Sequence, residues 1–551
     1  MNRKNAIGLL ASSTTLGASP LLASCTKVAT SGGNASGRHS WTIPHVLRYA
    51  DAEDPVGLNP VVATHASTSW LAQLWAAWLF RYDENYDPVP ELCTTVPTLQ
   101  NGLISPDGKR IVFKLREAVW SDGVAFTSKD IAFSVATILA PNTNVTSRDG
   151  WDKIERVETP DPRTAIFHMK ELYSAFIPTF FTTGGANPCI LPEHIAKGQD
   201  PNHGPYNQKP IGIGPFVLDE WLRDQQVTLS ANPRYFRGRP KLDKVIYKII
   251  PNADTLITQL RTHEVDLWIQ MNPNYYGQVA GINGIDIARR VSAYWRHFDC
   301  NCDHPGTSEI PVRQALNYAI DRKTIIDKAL HGIGQINWSV VSPNSFAYNP
   351  NVKQYPFDLA KASALLDGAG WKLGADGVRA KNGARLHLNF GMPSGDPAWS
   401  EIVELVRSTW KPIGITFDSK SYPTNLYFAQ FQQGGIVYAG KFDVCAFSWG
   451  NTPAPTDMVN LYAADQIPPR GQNDLRYRNA EATRAMHDAT KTLDHKVQAK
   501  LLGRAQAIIA DECPTFPIAQ NVDLHPKNVD LKNFRPIPAS GPFEFMMDVD
   551  I

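Results

Sequence analysis

The stretch from Ile211 to Asp266 leaves this chain little choice of local structure. Gly212, Gly214, Pro215, Gly238 and Pro240 punctuate it into turns. Between those turns Val227 and Leu229, then Val245, Tyr247 and Ile249, alternate with polar neighbours. A period of two lays one face of a strand on a core, so two half-buried strands are predicted. Asn252 then stands where its side chain can cap a helix carrying Leu256, Ile257 and Leu260 on one side.

The N-terminus has the marks of an export signal. Arg3 and Lys4 precede a weakly apolar run from Ala6 to Ala23, which Ser, Thr and Gly dilute too far for a stable bilayer span. Leu22-Ala23-Ser24-Cys25 resembles a bacterial lipobox, in which the cysteine is acylated and becomes the mature first residue. The alternative is a signal peptide with a chance cysteine. Either export route stays open, although the second arginine of a twin-arginine signal is missing. Residues 25–40 are rich in Ser and Gly without apolar periodicity, the composition of a flexible tether. No other segment is long and apolar enough to cross a membrane.

The body that follows is long enough for more than one globular unit. Its near-neutral balance, 54 basic against 53 acidic residues, lacks the cationic excess that phosphate contacts require and excludes a typical nucleic-acid binder.

Local patterns recur along the body. Val46, Leu47 and Tyr49 predict an entering strand, and Trp70, Leu71, Leu74, Trp75, Trp78 and Leu79 one buried helical stripe, for which core packing is favoured over a ligand platform. Ser105 to Leu139 predicts a turn at Asp107-Gly108, a strand through Val112, Phe113 and Leu115, a turn at Asp122-Gly123 and a helix capped by Thr127 with Asp130. Turn and cap chemistry accounts for Asp122 and Asp130 without a catalytic role. Val312 to Leu330 predicts a helix, as does Phe357 to Trp371, with Asp358 as its cap and Gly368 or Gly370 as its stop. A helix at 401–410, a strand at 413–419, an inner strand at 443–449, helices at 479–492 and 494–511 and a Pro-rich return from 514 to 551 complete the chain.

These strings, in this order, resemble the bacterial extracellular solute-binding proteins of family 5, the dipeptide/oligopeptide-binding lipoproteins of ABC importers. The likeness rests on the 211–266 string, the Leu-Arg, Trp-x-Asp-Gly, Thr-x-x-Asp pattern, and the runs at 312–330 and 357–371. It implies an α/β fold of the periplasmic-binding-protein type II, two lobes around a cleft with an extra inserted domain. Carried over, residues 1–24 form the signal peptide, 25–40 the lipid-anchored tether, 41–87, 210–297 and 514–551 lobe I, 88–209 the inserted domain, and 298–513 lobe II. At least two strands crossing between lobes would act as a hinge.

The resemblance also points to ligand residues. The segment after the Leu58-Asn59-Pro60 turn lies along the ligand in peptide-binding members, which indicates Thr64, His65 and Ala66. The end of the inner strand of lobe II indicates Ser448, Trp449, Gly450, Asn451 and Thr452. Relatives carry an acidic residue about three positions after this tryptophan, paired with the ligand's α-ammonium. Here no carboxylate follows until Asp457, and Gln520 and Asn521 stand where relatives carry tyrosines. A desolvated ammonium needs a countercharge. The departure therefore suggests a modified peptide or another polar solute, such as an oligosaccharide, as an alternative to ordinary peptides.

Six cysteines lie beyond Cys25: Cys93, Cys189, Cys300, Cys302, Cys445 and Cys513. Six sites allow 15 complete pairings, and the resemblance implies a bridge from Cys300 or Cys302 to Cys445. Asp299 to His304 could instead ligate a metal through Cys300, Cys302 and His304, but no second ligand pair accompanies them and no metal is expected. No nucleophile elbow, zincin helix or phosphate loop is present. The expected role is non-enzymatic and cofactor-free, in a monomer at the outer or periplasmic face of the cytoplasmic membrane, partnered with an importer permease and a peptide or other small polar solute. An exported hydrolase on the same scaffold, or a sensing or chaperone role, are the alternatives of another kind.

Overall fold

The computed structural model describes residues 37–63, 65–145, 147–184, 187–453, 457–538 and 540–551. Cys25, the expected signal peptide, most of the expected tether and Thr64 lie outside the described residues. Between Trp41 and Ile551 the chain forms one compact unit. No helix among the described residues is long and apolar enough to cross a membrane.

Its organising element is an eleven-stranded mixed sheet. In chain order the strands are β1 (Val46–Asp51), β2 (Phe216–Leu222), β3 (Gln226–Ala231), β4 (Lys244–Ile249), β5 (Leu267–Trp268), β6 (Ile285–Cys300), β7 (Gln335–Ile336), β8 (His387–Pro393), β9 (Thr416–Tyr422), β10 (Val444–Gly450) and β11 (Thr515–Asn528). Across the sheet the order is β9-β8-β10-β6-β11-β5-β1-β4-β3-β2, with β7 paired to β11. The two strands expected between Ile211 and Asp266 form, as β3 and β4, paired antiparallel from Gln226↔Lys248 to Ser230↔Lys244. Asn252 caps the helix Ala253–Arg261 by accepting from the Thr255 N–H at 2.9 Å.

β6 and β11 are the longest strands, and they run through both halves of the sheet. They pair antiparallel from Ile285↔Asn528 to Asp299↔Thr515, with register shifts between Val291 and Trp295 and between Arg296 and His297. On one side of these shifts β11 meets β5, next to β1; on the other, β6 meets β10, next to β8. Irregular pairing at this crossing bends and twists the ribbon.

Three large cores follow. One joins Leu47, Trp75, Trp120, Phe167, Leu229 and Phe543, so residues between 88 and 209 share a core with β1 to β4 and the C-terminal segment. A second holds Phe298, Leu316, Phe390, Trp399 and Trp410, and a third Trp295, Tyr462, Tyr477, Met486 and Leu502. The halves touch directly: Asn344 Nδ2 donates to Tyr86 OH at 3.4 Å, and Leu493 packs against the first core.

Local departures have local causes. The stripe from Trp70 to Leu79 outruns its helix, Ala66–Trp75, because the Trp75 carbonyl accepts from Gly214 N–H at 2.9 Å and the chain turns into a strand. The helix expected over 312–330 is two, Ile310–Tyr318 and Arg322–Lys328, because Asp321 accepts from Thr324 N–H at 3.1 Å and starts a new one. The helix at 401–410 begins earlier, at Pro397, capped by Asp396. Thr127 and Asp130 form the expected capping box.

Candidate functional site

The C-terminal end of β10 presents Ser448, Trp449 and Gly450 beside the strand crossing, with Tyr294 of β6 directly opposite Gly450. Tyr294 is half-exposed and lies against Gly450, where any Cβ would come within 2.8 Å of its ring. Glycine at 450 is therefore what lets the aromatic ring sit there. Asn451 follows, its backbone N–H donating to Ala293 O at 3.1 Å and its Nδ2 to Val340 O at 3.3 Å. Its Oδ1 is buried without a partner. Thr452 Oγ1 donates to Asp457 Oδ2 at 2.6 Å. Burial pushes the Asp457 carboxyl up to about 6 against that hydrogen bond, and the charge of Asp149 adds to the rise. Asn451, Thr452 and Asp457 are thus brought together with Trp449.

Alternation along β6 and β10 splits this end into two faces. Trp295, His297 and Asp299 stand opposite Trp449, Phe447 and Cys445 on one face. On the other, Arg296 stands opposite Ser448, its guanidinium 4.8 Å from the Trp399 ring centroid and Nη2 donating to Asp396 Oδ2 at 2.7 Å. Arg296 Nε and Nη1 are buried without partners. Behind Trp449 lies a cavity of ≈ 10 Å³ lined by His297, Asp299, Phe447, Tyr438 and Asp474 among others, all of them between residues 297 and 475.

His65 is the residue before the helix Ala66–Trp75 and gives it no side-chain cap. Glu53 serves that end instead, accepting from Ser67 N–H at 3.3 Å. Asp51 ends β1 and Glu53 follows it, and burial pushes the Asp51 carboxyl up to about 6, opposed by the Ala52 N–H.

Gln520, expected as a ligand contact, lies at the crossing of β11 and β6, its Oε1 buried without a partner. It is 1% exposed, and its Nε2 donates to Ser292 O at 2.6 Å and Tyr294 O at 3.1 Å. It fastens β11 to β6 where their register breaks. Asn521 is partly exposed beside it. Next along, burial pushes the Asp523 carboxyl up to about 6 despite hydrogen bonds from Ser292 and Gln270.

The expected bridge from Cys300 or Cys302 to Cys445 is absent, and all six described cysteines are free. Asp299 pairs with Cys445 and Cys300 with Val444, so Cys300 and Cys445 project from opposite faces of the sheet. Cys300 joins the core of Phe298, Cys445 the cluster of Tyr427 and Phe447, and Cys302 packs by Leu475. His304 Nε2 faces Asp443 Oδ1 at 3.1 Å. Among the described residues no three His, Cys, Asp or Glu side chains converge as metal ligands would.

Sequence reasoning missed β6, and with it Tyr294, Arg296, His297 and Asp299. The alternation of Val291, Ala293 and Trp295 was the available signal, masked by Arg289 and Arg290 just before it. Asp474 carried no signal, being remote in sequence from its neighbours.

Comparison with known proteins supplies a family. A model of the bacterial extracellular solute-binding proteins, family 5, matches residues 87–467. The oligopeptide-binding protein AppA of Bacillus subtilis is 26% identical over 493 residues, 88% of each chain. Its solved structure with a nonapeptide superposes with a TM-score of 0.69 at 24% identity, covering 92% of this chain and 98% of that one. NikZ from Campylobacter jejuni, solved with Ni(L-His), superposes at 0.73 with 24% identity, covering 93% of this chain and all of the other. At these identities the structures speak to fold alone.

Proposed function

We propose that this chain, which belongs to the bacterial extracellular solute-binding proteins of family 5, is the substrate-binding component of an ABC importer that captures a peptide or peptide-like solute outside the cytoplasm. Its fold is the two-lobed type II architecture with an inserted domain. The observation that carries the reading is the end of β10: Trp449 and the adjacent Asn451, Thr452 and Asp457 stand beside the crossing where two long strands run between the halves with broken register. Such a crossing is a natural hinge. A solute that touches both halves only when they are closed shifts the population toward the closed form.

The names of AppA and of the di/tripeptide-binding protein 3 of Pseudomonas aeruginosa, 26% identical over 462 residues, favour peptides over an oligosaccharide. On this reading Thr64, His65, Ala66, Ser448, Trp449, Gly450, Asn451, Thr452, Asp457, Gln520 and Asn521 face the solute, Gln520 also fastening the hinge through its Nε2. Lobe I comprises 41–87, 210–297 and 514–551, the inserted domain 88–209, and lobe II 298–513. The chain acts as a monomer held through Cys25 to the outer or periplasmic membrane face, and hands its cargo unchanged to a permease. The test is mass spectrometry of solutes released from the gently purified full chain, followed by calorimetric titration of the released species. Recovery of peptides that rebind supports the role. Release of no peptide, or turnover of one during titration, refutes it.

A further inference from the structure

The Trp449 face of β6 and β10 buries more polar chemistry than packing requires. His297, Asp299 and Asp474 are 2%, 3% and 3% exposed and converge on one cavity, two of them from β6 and the third from the loop before the helix Ala480–Thr490. His297 Nε2 stands 3.3 Å from Asp299 Oδ2. That leaves His297 Nδ1 and Asp299 Oδ1 buried with no hydrogen-bond partner, and Trp449 Nε1 is in the same condition. The Asp474 carboxylate receives the weak Cys445 thiol at 3.9 Å. Arg476 spends its guanidinium on the backbone carbonyls of Asp474 and Tyr438. Buried polar groups are ordinarily satisfied, and orphaned ones call for a missing partner.

The cavity's ≈ 10 Å³ admits the centre of one water-sized group. A water would satisfy hydrogen bonds but leave two neighbouring buried carboxyls opposed only by Arg476, whose guanidinium is held on backbone carbonyls. Burial, and then the charge of Asp299, hold the Asp474 carboxyl well above the usual carboxylate range, with Arg476 opposing them. A cation that fits would relieve both costs at once. A guanidinium is too large for that volume, whereas an ammonium is the size of water.

We propose that the pocket of His297, Asp299 and Asp474 receives a primary ammonium group of the captured solute, admitted past Trp449. This rests on the solute-binding role argued above and deepens it. The carboxylate absent three residues after Trp449 is replaced by two that arrive from β6 and from residue 474. The ammonium belongs either to a lysine-type side chain or to a free peptide N-terminus.

The experiment titrates the full chain, stripped of bound solutes, with a tetrapeptide panel. Lysine is replaced in turn by norleucine and by acetyl-lysine, and the N-terminus is left free or acetylated. One ammonium should matter, its neutralisation weakening binding about thirtyfold or more, as loss of a charge-assisted contact does. A loss confined to norleucine and acetyl-lysine identifies the side chain; a loss confined to the acetylated terminus identifies the α-ammonium. In Asp299→Asn and in Asp474→Asn, each measured independently, that discrimination should fall to within about threefold, the loss falling on the peptide that carries the recognised ammonium and not on its neutralised counterpart. Equal binding of charged and neutral peptides by the unaltered protein overturns the pocket assignment and leaves solute capture standing, a result that needs no variant to fold. Discrimination that survives both Asn variants overturns it too. Failure of every peptide to bind overturns the peptide reading itself, and the pocket with it.

Discussion

Replacing Gln520 with leucine separates a hinge fastener from a ligand contact. The leucine keeps the volume but removes the donor that reaches Ser292 O at 2.6 Å and Tyr294 O at 3.1 Å. Both carbonyls then lose a partner inside a site that is 1% exposed. A buried acceptor left unmade costs about 1–3 kcal/mol, and two such losses would reach about 2–6 kcal/mol. Two terms reduce this sum. Gln520 Oε1 is already buried and unpartnered, so deleting it recovers part of one penalty, and the bulged ribbon can relax around the smaller demand. The net expectation is a destabilisation of about 1–3 kcal/mol, read as a lower urea midpoint at unchanged slope. Peptide affinity should fall less than it does in Asn521→Ala, whose own stability should stay within about 0.5 kcal/mol of the parent because that side chain is partly exposed. The reasoning is refuted if Gln520→Leu unfolds at the parent's midpoint, or if it abolishes binding while leaving stability untouched.

Three further outcomes are expected. The Asp457 and Asp523 carboxyls are each raised by burial to about 6. The folded chain therefore holds more protons than the unfolded one between their ordinary and raised values, and their contribution to stability falls as pH rises through that window. Melting of Asp457→Asn against the parent should show the variant gaining at pH 7 relative to pH 4, and an equal difference at both refutes this. Gly212→Ala should cost about 3 kcal/mol or more, because its Cβ would stand 1.6 Å from the Trp75 carbonyl oxygen. Gly368→Ala, with nothing within 4 Å, should stabilise by about 0.5–1 kcal/mol; the reverse order in urea would contradict the packing argument. Thiol titration in denaturant should count the same number of reactive cysteines with and without prior reduction, since all six described thiols are free, and a reductant-dependent increase would restore a disulfide.

What the chain's local grammar determined is what acts within a few residues. Asn252, Thr127 with Asp130, and Asp358 cap the helices they announce, because a side-chain acceptor and an orphan N–H three positions on need no other partner. The alternation between Ile211 and Asp266 gave its two strands for the same reason, and the order of such strings gave the family and the two-lobed fold. Tertiary structure decided whatever depended on which strand lies beside which. Pairing Asp299 with Cys445 turned Cys300 and Cys445 to opposite faces and dissolved the expected bridge. The same pairing put His297 and Asp299 behind Trp449, 150 and more residues away along the chain, where Asp474 could meet them. Gln520 became a fastener because β6 breaks register just opposite it. Register and facing are settled by the summed burial of many side chains across a sheet, and no short window of sequence contains that sum.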